Sequence, residues 1–160
     1  MKMADVVQVF KNSGMQDVIS VLATGNIIFS SDKKVSDLKT ILEKAMSEHF
    51  SYEAFLFIKT SLKVETILKN NPFQKNENQH IYIFVGKEDI EKTLIQEFEK
   101  VSKSNNENAK IIDSTFYWQV EKGNTLDSNF GKILGKKNYK DSFTSRNLNT
   151  FEKITQKIQG

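Results

Sequence analysis

The order of apolar patterns along the chain restricts its fold most strongly, because the second half repeats the order of the first. In residues 80–160, short β-branched runs and helical stripes alternate as β-α-β-β-α-β and are followed by a helix. In residues 1–70 the order is α-β-β-α-β and a helix. The two halves correspond if one strand is absent from the front of the first, and this order is the split β-α-β arrangement of ferredoxin-like folds.

The chain is therefore predicted to be an α+β protein with two ferredoxin-like (βαββαβ) subdomains, the first lacking its opening strand and each followed by a helix. The predicted boundaries are 1–70 for the first subdomain, 71–79 for a polar linker and 80–160 for the second. The opening strand is central in such a sheet, so its absence would leave two rows of unpaired backbone groups. We expect either an N-terminally shortened chain, or a rearrangement or a partner chain, such as a second copy in a homodimer, that fills the gap in the first sheet.

Four local predictions matter below. Residues 52–59 and 139–143 are each predicted to form a strand, and residues 126–134 a helix. Residues 116–120 are predicted to form a strand in which Phe116 and Trp118 share one face and Tyr117 lies on the other. Strand aromatics bind bases in RNA-recognition modules of the same topology, but packing is the commoner role of such rings, and packing is favoured here.

Several sequence segments resemble one bacterial family. Residues 23–29, ATGNIIF, are similar to the "SGNVVF" hairpin of the "domain of unknown function 1697" family, and residues 71–73, NPF, match its turn. Residues 144–152, TSRNLNTFE, resemble its "TTRNWNTVEK" segment, and residues 2–5 its first helix. The resemblance implies an α+β fold with ferredoxin-like halves and brings no chemistry, because the family's activity is not established. Its members begin with a strand and an "RGINVGG"-like turn, whereas the resemblance here starts after both.

Composition gives little sign of catalysis or of a cofactor. The chain has no cysteine, which excludes disulfides and thiolate chemistry and is compatible with a reducing cytoplasm. It has no apolar run long enough to span a bilayer. The two histidines, His49 and His80, lack the spacing of metal ligands, and no phosphate-binding glycine loop is present. We predict no catalytic residues, no metal, no cofactor, no membrane contact and a cytoplasmic location.

Positive charge is concentrated near the C-terminus. The chain carries a net charge of +3, whereas residues 131–160 have seven basic and two acidic side chains, a surplus of +5. Such a surplus can attract phosphates, although a solvated charged face is the commoner outcome.

The segment 144–152 contains the only arginine, Arg146, in a cluster of hydrogen-bonding side chains. Asn149 and Glu152 are spaced as a capping box, which predicts that a helix starts at Asn149. The structural interpretation is that the cluster ties this helix to the sheet. The functional interpretation is an anion site at the helix N-terminus. Its predicted ligand-binding residues are Arg146, Asn147, Thr150, Lys132 and Lys136.

Three classes of function are compatible with these patterns. The first is a non-enzymatic module that binds a phosphate-bearing ligand or nucleic acid through the basic C-terminal region. The second is an enzyme of unknown reaction with a cleft between the subdomains. The third is a protein-interaction scaffold.

Overall fold

The computed structural model describes residues 1–136, 139 and 141–160. Within these residues the helices and strands follow one another as α1 (Met3–Asn12), β1 (Gln16–Val21), β2 (Asn26–Ser30), α2 (Val35–Phe50), α3 (Ser61–Lys69), β3 (Gln79–Gly86), α4 (Ile90–Lys100), β4 (Asn108–Ile112), β5 (Thr115–Glu121), α5 (Asn129–Lys136), β6 (Phe143–Asn147) and α6 (Leu148–Gln159). The fold is α+β with two separate sheets, and its two units are ferredoxin-like.

The described chain divides into two compact units. Residues 1–64 and 152–160 form the first unit, and residues 65–151 form the second. This division differs from the sequence-based boundaries because most of α6 belongs to the first unit and the end of α3 to the second. The boundaries at 70 and 80 remain a prediction.

The sheet of the second unit has the strand order β4-β5-β3-β6, with every pair antiparallel. This order is that of a complete ferredoxin-like unit, in which the opening strand, here β3, lies between the third and fourth strands. Helices α4 and α5 cover one face. The core on that face includes the aromatic side chains of Phe84, Phe98, Phe116, Trp118 and Phe130.

The alternation predicted for β5 is confirmed. Phe116 and Trp118 belong to the core beneath α4 and α5. The Tyr117 ring lies on the other face, where its hydroxyl donates a hydrogen bond of 2.6 Å to the Ile67 carbonyl oxygen of α3. Burial raises the pKa of the Tyr117 hydroxyl to about 12. Both faces of this sheet are therefore packed at its centre.

The first unit is built on the hairpin of β1 and β2, which is a two-stranded antiparallel sheet. Gly25, with φ +84°, supplies the left-handed backbone in the turn between the strands. Helices α1 and α2 bury their apolar stripes against one face of the hairpin. The resulting core includes Val6, Phe10, Val18, Leu38 and Leu42.

The strand predicted for residues 52–59 is wrong. These residues form no strand, although Ala54 is buried and Leu56 and Ile58 pack against the core of the first unit. The second unit shows the physical reason, because there β6 pairs only with the opening strand β3. No strand occupies the corresponding place in the described first unit, so residues 52–59 keep the apolar pattern of a strand without a ladder partner.

Side chains of α2 satisfy part of this segment's backbone instead. The Ala54 N–H donates to Ser47 Oγ at 2.9 Å, and the Leu56 N–H donates to Glu43 Oε2 at 2.7 Å. Lys39 Nζ donates to the Leu56 carbonyl oxygen at 2.6 Å and forms an ion pair with Glu43 at 2.7 Å. Residues 39, 43 and 47 repeat every four positions, so one face of α2 provides the hydrogen bonds that a neighbouring strand would otherwise provide.

Two further predictions are corrected in the second unit. The last strand is not at 139–143, a range that includes one residue outside the described set, but at Phe143–Asn147. The segment 144–147 therefore belongs to the sheet rather than to a helix start, because pairing with β3 overrides its polar composition. The helix predicted at 126–134 begins only at Asn129.

Candidate functional site

The junction of β6 and α6 positions three of the five predicted site residues. Strand β6 pairs with β3 so that Arg146 lies opposite Ile83 and Asn147 opposite Tyr82. Successive side chains of a strand point to opposite faces. Arg146 therefore lies on the face of Ile83 and Tyr117, whereas Asn147 lies on the face covered by α4 and α5.

The Arg146 side chain is half-buried and bonded to its own strand. Its Nη1 atom donates to Thr144 Oγ1 at 2.5 Å and to the Ser145 carbonyl oxygen at 2.8 Å. Burial lowers the pKa of the Arg146 guanidinium from its ordinary value, yet a guanidinium keeps its charge at neutral pH. These bonds support the interpretation that Arg146 stabilises the end of the sheet.

Asn147, rather than Asn149, caps α6. Asn147 immediately precedes Leu148, the first residue of the helix, and its Oδ1 atom accepts the Asn149 N–H at 2.9 Å. This bond to the second helical N–H is typical of an N-cap side chain. The capping box predicted from Asn149 and Glu152 is wrong, because both residues already lie inside the helix.

Replacing Asn147 with alanine is expected to lower the free energy of unfolding by about 1 kcal/mol, because the cap bond is lost. Asn149→Ala is the matched control and is expected to change the stability by less than about 0.5 kcal/mol, since Asn149 is exposed. Urea unfolding followed by circular dichroism would measure both. Equal losses in the two variants would contradict the assignment of the cap.

The same Asn147 side chain contacts His80 on β3. Asn147 Nδ2 lies 3.0 Å from His80 Nδ1. Because Oδ1 is already engaged at the helix N-terminus, the amide presents N–H groups to the ring, and Nδ1 must accept in the neutral tautomer protonated on Nε2. Burial, and secondly the positive charge of Lys122, lower the pKa of His80.

This geometry predicts an acid-sensitive contribution to stability. The folded-state pKa of His80 is below the unfolded value of 6.5, so its contribution is full above that value and is lost as the pH falls through the folded pKa. His80→Gln removes the titration while keeping an acceptor for Asn147. Between pH 7.5 and pH 5, roughly the window for a lowered histidine pKa, the wild type is expected to lose more stability than this variant. Equal pH dependence of the wild type and of His80→Gln would contradict the prediction.

The remaining predicted site residues do not share one surface with Arg146. Thr150 is buried in the first turn of α6, with 8% of its surface exposed. Lys132 and Lys136 are exposed on α5. That helix packs through Phe130 on the face of the sheet opposite Arg146. The structure therefore brings Arg146 together with Thr144 and Ser145, and Asn147 with His80, but it does not bring the guanidinium to the face on which the two lysines lie.

The aromatic strand β5 has no ring available for stacking on bases. Phe116, Tyr117 and Trp118 are 1%, 0% and 2% exposed. Recognition of RNA in the manner of strand-aromatic modules needs exposed rings. The packing interpretation of these residues therefore holds.

Sequence reasoning predicted that a strand is missing from the first sheet, but it did not identify which strand pairs on one side only among the described residues. Among the described residues, β2 pairs with β1 alone. Strand β2 contains no charge and no proline, and its three central side chains, Ile27, Ile28 and Phe29, are half-buried. The outer strand β1 is different, since a bulge interrupts its register between Gln16 and Ile19, and Asp17 within it has φ +51°. Bulges and charges are devices that protect sheet edges, and β2 has neither.

The part of the chain that the structure describes bears on two requirements, those of a metal-ligand cluster and of a membrane-spanning helix. No group of three or more carboxylate or imidazole side chains there could hold a metal ion. None of the helices described is both long enough and apolar enough to cross a bilayer.

The fold and the two sheets define an α+β protein with paired ferredoxin-like units. Residues 1–117 match the family model described as "Protein of unknown function (DUF1697)", and the chain belongs to this family. In structure the chain is similar to a conserved bacterial protein from Streptococcus pneumoniae, with a TM-score of 0.77 and 22% identity over 100% of this chain and 90% of the other. At this identity the similarity shows the fold alone. No curated protein is significantly similar to the chain in sequence.

Proposed function

We propose that this chain is a non-enzymatic interaction module that adds a β-strand of another polypeptide to the edge of β2 that faces away from β1. The observation that supports the proposal is the contrast between the protected edge of β1 and the uncharged, regular edge of β2. The strand comes either from a second copy in a homodimer or from a different protein. A cytoplasmic location is part of the proposal and is supported by the absence of cysteine.

Strand addition depends on main-chain hydrogen bonds and on the side chains that flank them. An incoming strand takes its affinity from the unpaired N–H and C=O groups of the edge and its specificity from alternate side chains. Ile27 and Phe29 contact the core of the first unit from one face of the edge. Apolar residues at alternate positions of the incoming strand would extend that core, so the edge favours an alternating apolar strand.

The test uses a labelled peptide with the sequence of residues 24–32, TGNIIFSSD, as the probe. Peptide binding to the full chain is measured by fluorescence anisotropy. Two further peptides carry N-methyl groups on one or the other set of alternate amides. Because only one set of amides in an edge strand faces its neighbour, one methylated peptide should lose binding and the other should keep it.

The two methylated peptides control for contacts made by side chains alone, because they carry the same side chains. Equal binding of both would show that the peptide does not join the sheet as a strand. Absence of binding by the unmodified peptide would contradict strand addition at this edge.

A phosphate-bearing ligand or nucleic acid is the second candidate, bound without catalysis. Lys132 and Lys136 favour it, because they are exposed and lie four residues apart on α5. The chain is then expected to bind a single-stranded oligonucleotide, and added salt should weaken this binding. The double variant Lys132→Ala with Lys136→Ala should weaken it as well. Lys33→Ala combined with Lys34→Ala is the matched control, since both of these lysines are exposed. An equal effect of the two double variants would remove α5 as the site.

Arg146→Ala separates the two interpretations of the C-terminal cluster. Weaker binding with an unchanged fold would place Arg146 in the ligand site, whereas a loss of stability alone would fit the bonds to Thr144 and Ser145. The enzyme alternative, with a cleft between the subdomains, identifies no reacting group and remains a prediction from the sequence.

A further inference from the structure

We propose that the strand that pairs with β2 is β2 of a second copy, in an antiparallel arrangement centred on Ile28 and related by a twofold axis. The product would be a continuous four-stranded sheet of β1 and β2 from each protomer. This inference rests on the proposed function and names the partner of the same edge.

The hydrogen bonds of the first unit favour this arrangement over a strand inserted beside residues 52–59. On that side of the unit, the N–H groups of Ala54 and Leu56 and the Leu56 carbonyl oxygen already have partners on α2. A central strand would need a ladder with both neighbours and would have to displace these bonds. Pairing of β2 with another β2 needs only the edge of β2.

Symmetry makes β2 a suitable partner for itself. In a twofold interface the same patch is used on both copies, so the edge must be complementary to itself. Centring on Ile28 places Ile28 opposite Ile28 of the second copy, and Ile27 opposite Phe29. The first pair lies on the face of the exposed Ile19, and the second lies on the face of the core. Apolar and aromatic cross-strand pairs of this kind stabilise antiparallel sheets.

The charged residues that flank β2 do not destabilise this pairing register. Continuing the alignment beyond the strand places Asp32 opposite Thr24, Lys33 opposite Ala23 and Lys34 opposite Leu22 of the second copy. No like charges meet directly, and such meetings would destabilise a strand pair. The edge therefore has an uncharged centre, and each charged residue in its flanks lies opposite an uncharged residue of the second copy.

The first experiment measures self-association of the full chain by sedimentation equilibrium. The wild type is expected to dimerise. Ile28→Lys and Ile28→Glu are each expected to raise the dissociation constant about tenfold or more, because like charges then face each other at the centre. An equimolar mixture of the two variants should recover a dimer, since lysine then faces glutamate. Ile19→Lys is the matched control; Ile19 is the cross-strand neighbour of Ile28 on the same face, is 42% exposed and lies on β1.

The second experiment does not require a charge at a half-buried position. The chain has no cysteine, so Ile28→Cys introduces a single thiol. Residues directly opposite in an antiparallel pair have Cα atoms about 4.5–5.5 Å apart, within the range that a disulfide spans. Mild oxidation should join two copies rapidly through position 28 and more slowly in the control Ile19→Cys.

The outcomes separate this inference from the proposed function. A monomeric wild type, a dimer unaffected by charge at position 28, or equal cross-linking at positions 19 and 28 would overturn the β2–β2 dimer. A further outcome is that the peptide of residues 24–32 still binds, with one N-methylated version losing binding and the other keeping it. In that case strand addition at β2 stands, and the natural donor is a different strand. If neither the peptide nor a second copy binds, both proposals fail.

Discussion

Gly131→Ala is expected to lower the free energy of unfolding by about 3 kcal/mol, the upper part of the range for overpacking a core. Gly131 is buried in α5, and an added Cβ would collide with the Thr125 backbone carbonyl oxygen and lie 2.9 Å from Ser128 Oγ. That hydroxyl also accepts the Gly131 N–H at 3.0 Å, so the collision disturbs the start of the helix. Backbone atoms cannot rotate away as a flexible side chain can, and α5 would have to move.

The movement of α5 would also disturb the aromatic core. Phe130 precedes Gly131, is fully buried and contacts the rings of Phe98, Phe116 and Trp118 at centroid distances of 5.4, 5.7 and 5.1 Å. A shift of the helix would weaken these contacts. Chemical unfolding followed by circular dichroism measures the loss of stability, and tryptophan fluorescence follows Trp118 directly.

Gly135→Ala is the matched control within the same helix. A Cβ at Gly135 meets nothing within 4 Å, and the residue is exposed. Alanine is the better helix former by up to about 1 kcal/mol, so this variant should be neutral or more stable. A similar loss in both variants would mean that the cost at position 131 comes from helix backbone effects rather than from the collision with Thr125.

Prediction from the sequence succeeded where local pattern and tertiary packing agree. Strand β5 and helix α4 were predicted because their apolar side chains repeat at periods that match the faces they bury. The repeat of element order then specified the ferredoxin-like topology, which the sheet of the second unit confirms. The aromatic side chains of β5 were assigned to the correct faces for the same reason.

Prediction failed where the missing information is non-local. Residues 52–59 have a strand pattern, but a ladder needs a neighbour, and the described chain supplies side chains of α2 there instead. The start of α6 failed for a related reason. Both Asn147 and Asn149 are suitable cap residues in sequence, and pairing of β6 with β3 as far as Asn147 decides between them.

The candidate site could be predicted only as a group of residue types. The cluster around Arg146 is close in sequence, yet alternation along β6 sends neighbouring side chains to opposite faces once the segment is known to be a strand. Lys132 and Lys136 then lie on the opposite face of the sheet from the Arg146 guanidinium. The edge of β2 that faces away from β1 has no sequence motif of its own; the absence of charge and proline in ATGNIIFSS is the signal that could have identified it.

Glu107→Leu is expected to lower the free energy of unfolding by about 3 kcal/mol, because it leaves buried donors without an acceptor. Glu107 precedes β4 and is 7% exposed. Its Oε2 atom accepts the Trp118 indole N–H at 2.8 Å, and its Oε1 atom accepts the Ser104 N–H at 3.0 Å and the Ser104 hydroxyl at 2.9 Å. One carboxylate thus joins the loop after α4 to the centre of the sheet.

Glu107→Gln is expected to lower the free energy of unfolding by less than Glu107→Leu does. The amide oxygen of glutamine can still accept a hydrogen bond from one of the two donor residues, while its NH₂ group faces a donor at the other. Glu99→Leu is the exposed control and should stay within about 0.5 kcal/mol of the wild type. Trp118 is the only tryptophan, so its emission reports this site in the folded protein without interference. Loss of the indole bond should change the emission of Glu107→Leu under native conditions and leave that of Glu99→Leu unchanged. An unchanged spectrum with full stability in Glu107→Leu would show that the carboxylate does not hold the indole in solution.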